Sequence, residues 1–484
     1  MCFWNIKTVL VLRKTKMKMV VSSQYNLQDT GHTRWQWTYS CIVSLGFIIY
    51  GMESGWLSPL IEELQSQNSP LGTPVSDMVV SWWATIIPLC GAFVVPICTY
   101  LADTFGRKLS IMVVILPEIV SIIIRLARPT VVSVTISRIF SSFSAAGFFA
   151  IIPAYIREIS QEHIKGSLGS LTMLSQNIGF LVIYLIGAFF DYFYILCFFL
   201  PITIVMLLLM IKAPESPAYL VKRMKISEAY ETVAFLRGLK SNDERVVRAV
   251  QYMQKQEDEF KSLPKNGIFS ILKDKPLRRG FILLVMLFTT QALSGGFAII
   301  TYASVILASM GTELAYPELQ TISLPIVMII ASLMLTIIAE KFGRRTLQAT
   351  GYSISALTFT ILATFILLQD YGYATPAWLP IGCMVTIVAM YAGTIRPLPF
   401  IVAAELLHFR VRAKLMGVLA MLIGLMNSVH LFSYIPLKTY LGLSATLMIF
   451  GICNVFGIIF SLLLPETKGK TDEEIRTLIE RRMK

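Results

Sequence analysis

The chain has 484 residues, of which 55% are hydrophobic and only 15% are charged, and its mean hydropathy is +0.67. A soluble domain carries about 25% charged residues, so this composition favours a protein that lies in a lipid bilayer. The formal net charge of +13 does not indicate nucleic-acid binding, because the basic residues lie between apolar runs rather than in one patch.

The first segment, residues 1–36, has an apolar patch followed by a group of basic residues between positions 13 and 18. A secretory signal peptide has the opposite order. We therefore interpret this segment as a cytoplasmic leader, with Met17 and Met19 as alternative start sites.

Long apolar runs follow, and each is long enough for a helix that crosses a bilayer, which needs about 20 apolar residues. They cover residues 37–60, 80–102, 109–127, 131–156, 168–190, 192–211, 281–307, 319–339, 346–368, 378–404, 413–435 and 441–464. We expect an all-α membrane protein with twelve transmembrane helices in two six-helix pseudo-symmetric halves, 37–211 and 280–464. A cytoplasmic linker with short amphipathic helices (212–279) joins the halves, and a cytoplasmic tail follows (465–484).

The distribution of Lys and Arg predicts the orientation, because cytoplasmic segments hold the excess of these residues. All but five of the 42 lie in segments that face one side if both termini are cytoplasmic. The exceptions are Arg125, Arg128, Arg138, Arg396 and Lys438.

A charged turn with the sequence DTFGRK at residues 103–108 recurs as EKFGRR at residues 340–345. Carboxylates and further bases recur in both halves at the ends of later helices. Because Arg binds a carboxylate bidentately, and the two halves meet on this face, we predict a latch that closes the cytoplasmic mouth. Glu158 and Glu215 are the expected partners of the turn at 103–108, and the turn at 340–345 is its counterpart. Its candidate residues are Asp103, Arg107, Lys108, Glu158, Lys165, Glu215, Glu340, Arg344, Arg345, Glu405, Arg412 and Glu466. The alternative is that these residues only anchor the topology.

The seven cysteines are scattered, and no CxxC or CxxH spacing occurs. The sequence therefore predicts no metal site and no cofactor. With no nucleotide loop or nucleophile motif either, an enzyme is not indicated.

An ordered set of motifs runs through all twelve apolar segments. It comprises GMESGW at 51–56, the two charged turns, Arg138, PAYIRE at 153–158, KG at 165–166, Gln291, LSG at 293–295, PLP at 397–399, Glu405, Arg412 and PETKGK at 465–470. In these motifs the chain resembles the sugar porters of the major facilitator superfamily, within them the insect facilitated trehalose transporter-like branch. The resemblance implies alternating access, a sugar bound at mid-membrane between the halves, and residence in the plasma membrane.

The sugar site departs from the pattern of that family. Two adjacent glutamines are usual in the seventh helix, but here Gln291 is followed by Ala292, and Phe297 takes the place of an asparagine. Each unpaired buried hydroxyl of a sugar costs about 1–3 kcal/mol, so these losses matter for the substrate. The candidate substrate-binding residues are Gln176, Gln291, Phe297, Tyr302, Phe400 and Asn427.

Two charges inside the membrane form a candidate ion pair. At 1.5 Å per helical residue, Glu53 and Arg138 lie at about the same depth in a core about 30 Å thick. In proton-coupled sugar porters an acid at the Glu53 position faces this arginine, so Glu53 and Arg138 are candidates for proton coupling. The alternative is a permanent structural pair.

Arg396 replaces a glycine that the family has before Pro397. It could pair with Glu118 or with a carbonyl freed by a proline, or it could bind an anionic substrate. The sequence as a whole predicts a carrier for trehalose, a hexose or a related polyol, by facilitated diffusion. The alternatives are a proton-coupled sugar symporter and a transporter-like nutrient sensor.

Overall fold

The computed structural model describes residues 31–261, 275–309, 320–338, 341–373, 376, 378–407, 409–468, 470, 474 and 478, with the backbone alone at 260, 276, 336 and 409–414. The candidate start sites in the leader therefore lie outside the described residues.

The first half contains six spans. They are α1 (Arg34–Gly55) with its continuation α2 (Leu57–Gln65), α3 (Asp77–Phe105), α4 (Arg107–Ala127), α5 (Val131–Ile159), α6 (Lys165–Phe189) and α7 (Tyr192–Ile211). Three shorter helices follow in the linker: α8 (Pro217–Lys222), α9 (Ile226–Arg237) and α10 (Glu244–Lys261).

The second half is built from helices that are more often interrupted. They are α11 (Lys275–Leu293), α12 (Gly296–Thr301), α13 (Ala303–Ala308), α14 (Ser323–Ile338), α15 (Arg344–Asp370), α16 (Trp378–Met390), a π-helical turn (Tyr391–Ile395), α17 (Leu398–Leu406), α18 (Phe409–Leu441) and α19 (Leu443–Leu463).

Eleven helical segments in the described part are long and apolar enough to cross a membrane, and a shorter apolar helix covers Ser323–Leu335. Helices dominate because each satisfies its own backbone N–H and C=O groups, which lipid cannot do. Together these segments occupy the positions of the twelve predicted apolar runs.

The seventh span, predicted as one run over 281–307, is broken in two places. Gly295 adopts a left-handed backbone with φ of 85°, and a Cβ atom there would lie 2.7 Å from the Phe359 ring. Asn454 on α19 donates from Nδ2 to the freed Ser294 oxygen at 2.8 Å. The break is therefore held by a side chain from another span.

The backbones of α1 and α6 touch where Gly51 crosses Gly179. A Cβ atom at Gly51 would overlap the carbonyl oxygen of Gln176, and one at Gly179 would overlap that of Ile48. Small residues allow such close approach between membrane helices. This contact fixes the position of the Glu53 turn against α6.

The two halves meet along α3 with α18 and along α6 with α14. Asn177 on α6 donates to Ser332 Oγ at 2.7 Å and to the Met328 oxygen at 3.3 Å on α14. At the end opposite the linker, here called the far end, the Ser304 backbone N–H donates to Ser58 Oγ at 3.3 Å. The Ser304 hydroxyl also donates to the Ser58 carbonyl oxygen.

The linker helices dock on the first half at the opposite end of the bundle, here called the linker end. Gln36 Nε2 donates to the Leu236 oxygen at 3.2 Å, and the Trp35 and Phe235 rings stack with centroids 5.1 Å apart. The linker helices also share a small apolar cluster. Its buried members are Leu220, Val221, Ala229, Val233, Ala234, Val246 and Val250.

Candidate functional site

Glu53 lies buried at the end of α1 between two arginines. Its Oε2 is 3.2 Å from Arg138 Nη1, and its Oε1 accepts a hydrogen bond from Arg125 Nη2. Arg138 also donates from Nη2 to the Trp83 oxygen at 2.9 Å. The Trp56 ring centroid is 5.3 Å from Arg138 Cζ and 5.7 Å from Arg125 Cζ. Ion pairs and cation–π contacts therefore bind both guanidinium groups.

The structure places Glu53 and Arg138 at the ion-pair distance that their equal depth predicted, but the sequence reasoning missed Arg125 and Glu118. Both are fully buried on α4. Ser141, which lies on α5, donates from Oγ to Glu118 Oε1 at 3.4 Å. Their spacing of seven residues was the available signal, because two helical turns bring such residues to one face. We call Glu53, Glu118, Arg125 and Arg138 the buried charge cluster.

A narrow pocket lies between the halves beside this cluster. Its lining residues are Tyr50, Ser54, Ala84, Ile87, Pro88 and Arg138 from the first half and Phe297, Thr301, Asn427 and Leu431 from the second. Two of the predicted substrate-binding residues, Phe297 and Asn427, therefore lie in its wall. Asn427 Oδ1 and Thr301 Oγ1 have no hydrogen-bond partner in the described part of the chain.

The other substrate candidates of the second half are Gln291, Tyr302 and Phe400, and each has different packing contacts. Gln291 is buried, and its Oε1 has no partner among the described residues. Tyr302 donates to the Leu431 oxygen at 3.1 Å, and its ring stacks on Tyr434 at 4.6 Å. Phe400 makes edge contacts with the rings of Phe149 and Phe288, so it packs between helices of both halves.

Arg396 follows the π-helical turn and crosses to the first half. Its Nη2 is 2.7 Å from Gln176 Oε1 and 3.2 Å from Met173 Sδ, and its Nη1 is 3.5 Å from Asn177 Oδ1. The two structural partners expected for it, Glu118 and a freed carbonyl, are both wrong. Glu118 is directed toward Ser141, whereas Arg396 lies on the interface of α6 with the second half. Gln176, a predicted sugar ligand, is bound to this arginine.

The charged turn of the first half, residues 103–108, belongs to a cluster of charged side chains at the linker end. Arg107 binds Glu158 through Nε at 2.9 Å and Nη2 at 2.9 Å, and it lies 3.1 Å from Asp103. Glu215 accepts from the backbone N–H of Arg107 at 2.8 Å and of Lys108 at 3.1 Å. Burial raises the pKa of Glu215, although these N–H groups oppose that shift.

The second half repeats this arrangement. Arg344 Nε is 3.3 Å from Glu405 Oε1, and Glu466 accepts from the backbone N–H of Arg344 at 2.8 Å and of Arg345 at 3.3 Å. Thr467 donates to Glu405 Oε2 at 2.5 Å, as Ser216 donates to Glu158 Oε2 in the first half. The described members of the two clusters therefore make matching contacts.

The predicted partners of the 103–108 turn, Glu158 and Glu215, do bind it. The described ion pairs of the candidate residues join parts of one half, or the first half and the linker through Asp103 and Lys222, rather than the two halves. The reason is topological: the charged turn and the ends of the fourth and sixth spans of a half lie at the same end of the same six-helix unit. Lys165 instead pairs with Glu162 at 2.5 Å. Glu340 and the side chain of Arg412 lie outside the described residues.

Two six-helix halves that meet around a mid-bundle pocket, with a matching charge cluster at one end of each, define a membrane transporter of the parallel-repeat class. The family comparison agrees with this class. The chain belongs to the family described as "Sugar (and other) transporter", whose model matches residues 33–479. This is a family of transporters rather than enzymes, and it confirms the resemblance and the twelve-helix fold expected from the sequence.

Among individual relatives, the facilitated trehalose transporter Tret1 of Drosophila pseudoobscura pseudoobscura is 26% identical over 436 residues, which is 90% of this chain and 50% of the relative. Tret1 of Culex quinquefasciatus is 26% identical over 436 residues, covering 90% of this chain and 83% of the relative. The chain thus spans about half the length of the first of these relatives.

Among solved structures, the xylose transporter XylE from E. coli in a partially occluded inward-open conformation aligns with a TM-score of 0.75 at 20% identity. It covers 90% of this chain and 100% of that chain. The proton:xylose symporter XylE bound to 6-bromo-6-deoxy-D-glucose aligns with a TM-score of 0.73 at 20% identity, covering 92% and 100% of the two chains. These likenesses concern the fold.

Proposed function

We propose that this chain is a carrier that moves a sugar, namely trehalose, a hexose or a related polyol, across a membrane by facilitated diffusion with alternating access. The observation that carries this proposal is the pocket between the halves, whose wall contains residues of both. A site built in this way is opened to one side or the other when the halves rock against each other.

The polar atoms near the pocket suit a ligand rich in hydroxyl groups. Gln291 Oε1, Thr301 Oγ1 and Asn427 Oδ1 are buried acceptors without partners in the described part of the chain. Each such group left unpaired costs about 1–3 kcal/mol, and a sugar hydroxyl would remove that cost. Phe297 and Tyr50 supply aromatic walls beside them. The names of the trehalose and xylose transporters to which the chain is similar support the same class of substrate.

The far end of the bundle is closed by contacts that a carrier must break. Ser58 on α2 and Ser304 on α13 are hydrogen-bonded across the halves and are both buried. Opening the pocket to the far side would separate this pair. The charge clusters at the linker end are proposed to keep each half rigid during this movement, since Arg107 joins the turn before α4 to the end of α5.

Proton coupling is the second candidate, because Glu53 is a buried carboxylate beside the pocket. Two guanidinium groups bind it. Protonation would leave Arg125 and Arg138 with one charged acceptor fewer in a buried site. This arrangement favours a permanent ion pair and therefore facilitated diffusion over symport.

For the cellular setting we propose the plasma membrane, with both termini on the cytoplasmic side. The charge distribution supports this orientation, because the linker end carries the charged turns and the linker.

Uptake of labelled trehalose, glucose and sorbitol into proteoliposomes, with and without a pH gradient, tests the transport proposal. We expect saturable uptake of at least one of them that does not depend on the gradient. Uptake driven by the gradient would favour the symporter, and absence of uptake of all three would contradict the carrier.

A cross-link tests the alternating movement. With Ser58→Cys and Ser304→Cys together, oxidation should close the far end permanently and stop uptake, and reduction should restore it. Each single cysteine variant treated with the same oxidant serves as the control, because the chain has seven native cysteines. Undiminished uptake through the cross-linked protein would contradict alternating access.

A further inference from the structure

The described residues contain five buried charged side chains: Glu53, Glu118, Arg125, Arg138 and Arg396. Four of them form the buried charge cluster of the first half, where Glu53 is paired with both guanidinium groups. Arg396 is the fifth, and no ion pair is described for it. The positive charge of Arg396 therefore has no counter-charge among the described residues.

The surroundings of Arg396 are polar but neutral. The guanidinium contacts the Gln176 and Asn177 amide oxygens and the Met173 sulfur, all on α6. Its side chain is 9% exposed, whereas Arg125 and Arg138 are 0% and 2% exposed. Arg396 thus differs from the other two buried arginines in both its partners and its access.

A purely structural role for Arg396 conflicts with its place between the halves. Its contacts join the second half to α6 of the first, so a rocking movement must loosen them. The arginine would then lose its neutral acceptors while still inside the bundle, where an unpaired charge is costly. An anionic group on the substrate would supply the missing counter-charge at this point.

The charge balance also indicates which anion fits. One negative charge neutralises the guanidinium of Arg396, whereas a phosphate carries about 1.5 to 2 negative charges near pH 7 and would exceed it. A carboxylate is planar and matches the fork of donors that a guanidinium presents. The amide oxygens of Gln176 and Asn177, which now accept from Arg396, would then be free to accept from hydroxyls of the same ligand.

We infer that Arg396 selects sugars that carry one carboxylate, so that the substrate range of this carrier includes sugar acids. This inference rests on the proposed function, since it assumes that sugars pass through the pocket between the halves. Arg396 binds the carboxylate, and the amide oxygens of Gln176 and Asn177 accept from the neighbouring hydroxyls.

The test compares uptake of labelled D-glucuronate and D-glucose into proteoliposomes that contain the full chain. The wild type should take up glucuronate, and an inside-positive membrane potential should accelerate it, because one negative charge moves with the sugar. Arg396→Gln should lower glucuronate uptake at least tenfold and glucose uptake less than threefold, and Arg396→Lys should retain part of the glucuronate uptake. Lys438→Gln, at a cation near the far end of α18, is the matched control and should change neither.

The outcomes separate the two proposals. Uptake of glucose without glucuronate in the wild type would overturn the inference and leave the carrier intact, whereas uptake of neither sugar nor of trehalose would overturn both. Equal losses of both sugars in Arg396→Gln would show a structural role and also overturn the inference. If Arg396→Gln does not fold, a competition assay with the wild type replaces it. Glucuronate should then inhibit glucose uptake more strongly than neutral sorbitol does, and equal inhibition would contradict the inference.

Discussion

The two halves match at the linker end but differ in their interiors. Arg107 with Glu158 and Arg344 with Glu405 form equivalent clusters at the surface. Inside, the first half is held by charges around Glu53, whereas the second is held by neutral contacts such as Asn454 with Ser294. The two halves are therefore alike at the charged ends of their helices and different in the interior of the bundle.

This difference coincides with a difference in helix continuity. In the second half the seventh span breaks at Gly295, and the tenth contains the π-helical turn beside Arg396. A broken helix exposes backbone groups that side chains or ligands can bind. The first half thus has the ionic interior, and the second half supplies the irregular backbone that borders the pocket.

The largest effect is expected from breaking the ionic interior with Glu53→Gln. Arg125 and Arg138 would face each other without their shared carboxylate, and loss of one partner of a buried ion pair costs about 3–5 kcal/mol. Thermal unfolding of the purified protein in detergent measures this loss. Asn454→Leu, which removes a neutral contact of the second half, is the comparison and should cost less. Equal costs would show that the interiors do not differ in this respect.

A smaller effect is expected at the matched clusters, where Glu158→Gln and Glu405→Gln should each lower the free energy of unfolding by about 1 kcal/mol, since these pairs are partly exposed. The double variant should show the sum, because the clusters lie in different halves. A coupling of more than about 0.5 kcal/mol between the two substitutions would indicate the latch across the halves that the sequence predicted.

The smallest effect concerns the pH dependence of the first cluster. Burial raises the pKa of Glu215 above its ordinary value of 4.5, so the folded state binds this proton more tightly than the unfolded state. Its contribution to the free energy of unfolding is therefore greatest below pH 4.5 and falls as the pH rises through the raised value. Glu215→Gln should remove that fall, as measured by thermal unfolding at a series of pH values.

Asp243→Asn is the control for this measurement. Hydrogen bonds from Arg245 lower the pKa of Asp243 from 3.8 to about 2, so its contribution changes below pH 4. This variant should keep the fall above pH 4.5. If Glu215→Gln kept the fall as well, another group would be responsible for it.

The sequence predicted the spans and the matched turns because both are local properties of the chain. Apolar length identifies a span, and the DTFGRK motif carries its own charges. It also placed Glu53 near Arg138, because depth along a helix can be counted. The sequence could not identify Arg125 as a partner of Glu53, because that contact depends on how α4 is rotated relative to α1. The partners of Arg396 depend on how α6 crosses the second half, and no local sequence pattern predicts that crossing.

The docking of the linker on the first half has a practical consequence for measuring the movement. Tyr219 donates to the Thr104 oxygen at 2.9 Å and Gln36 to the Leu236 oxygen, so α8 and α9 share the reference frame of the first half. The distance between a spin label at exposed Lys222 and a second label at exposed Lys341 would therefore measure the separation of the two halves at the linker end. Changes in that distance on adding sugar would report the angle of rocking, uncomplicated by independent motion of the linker.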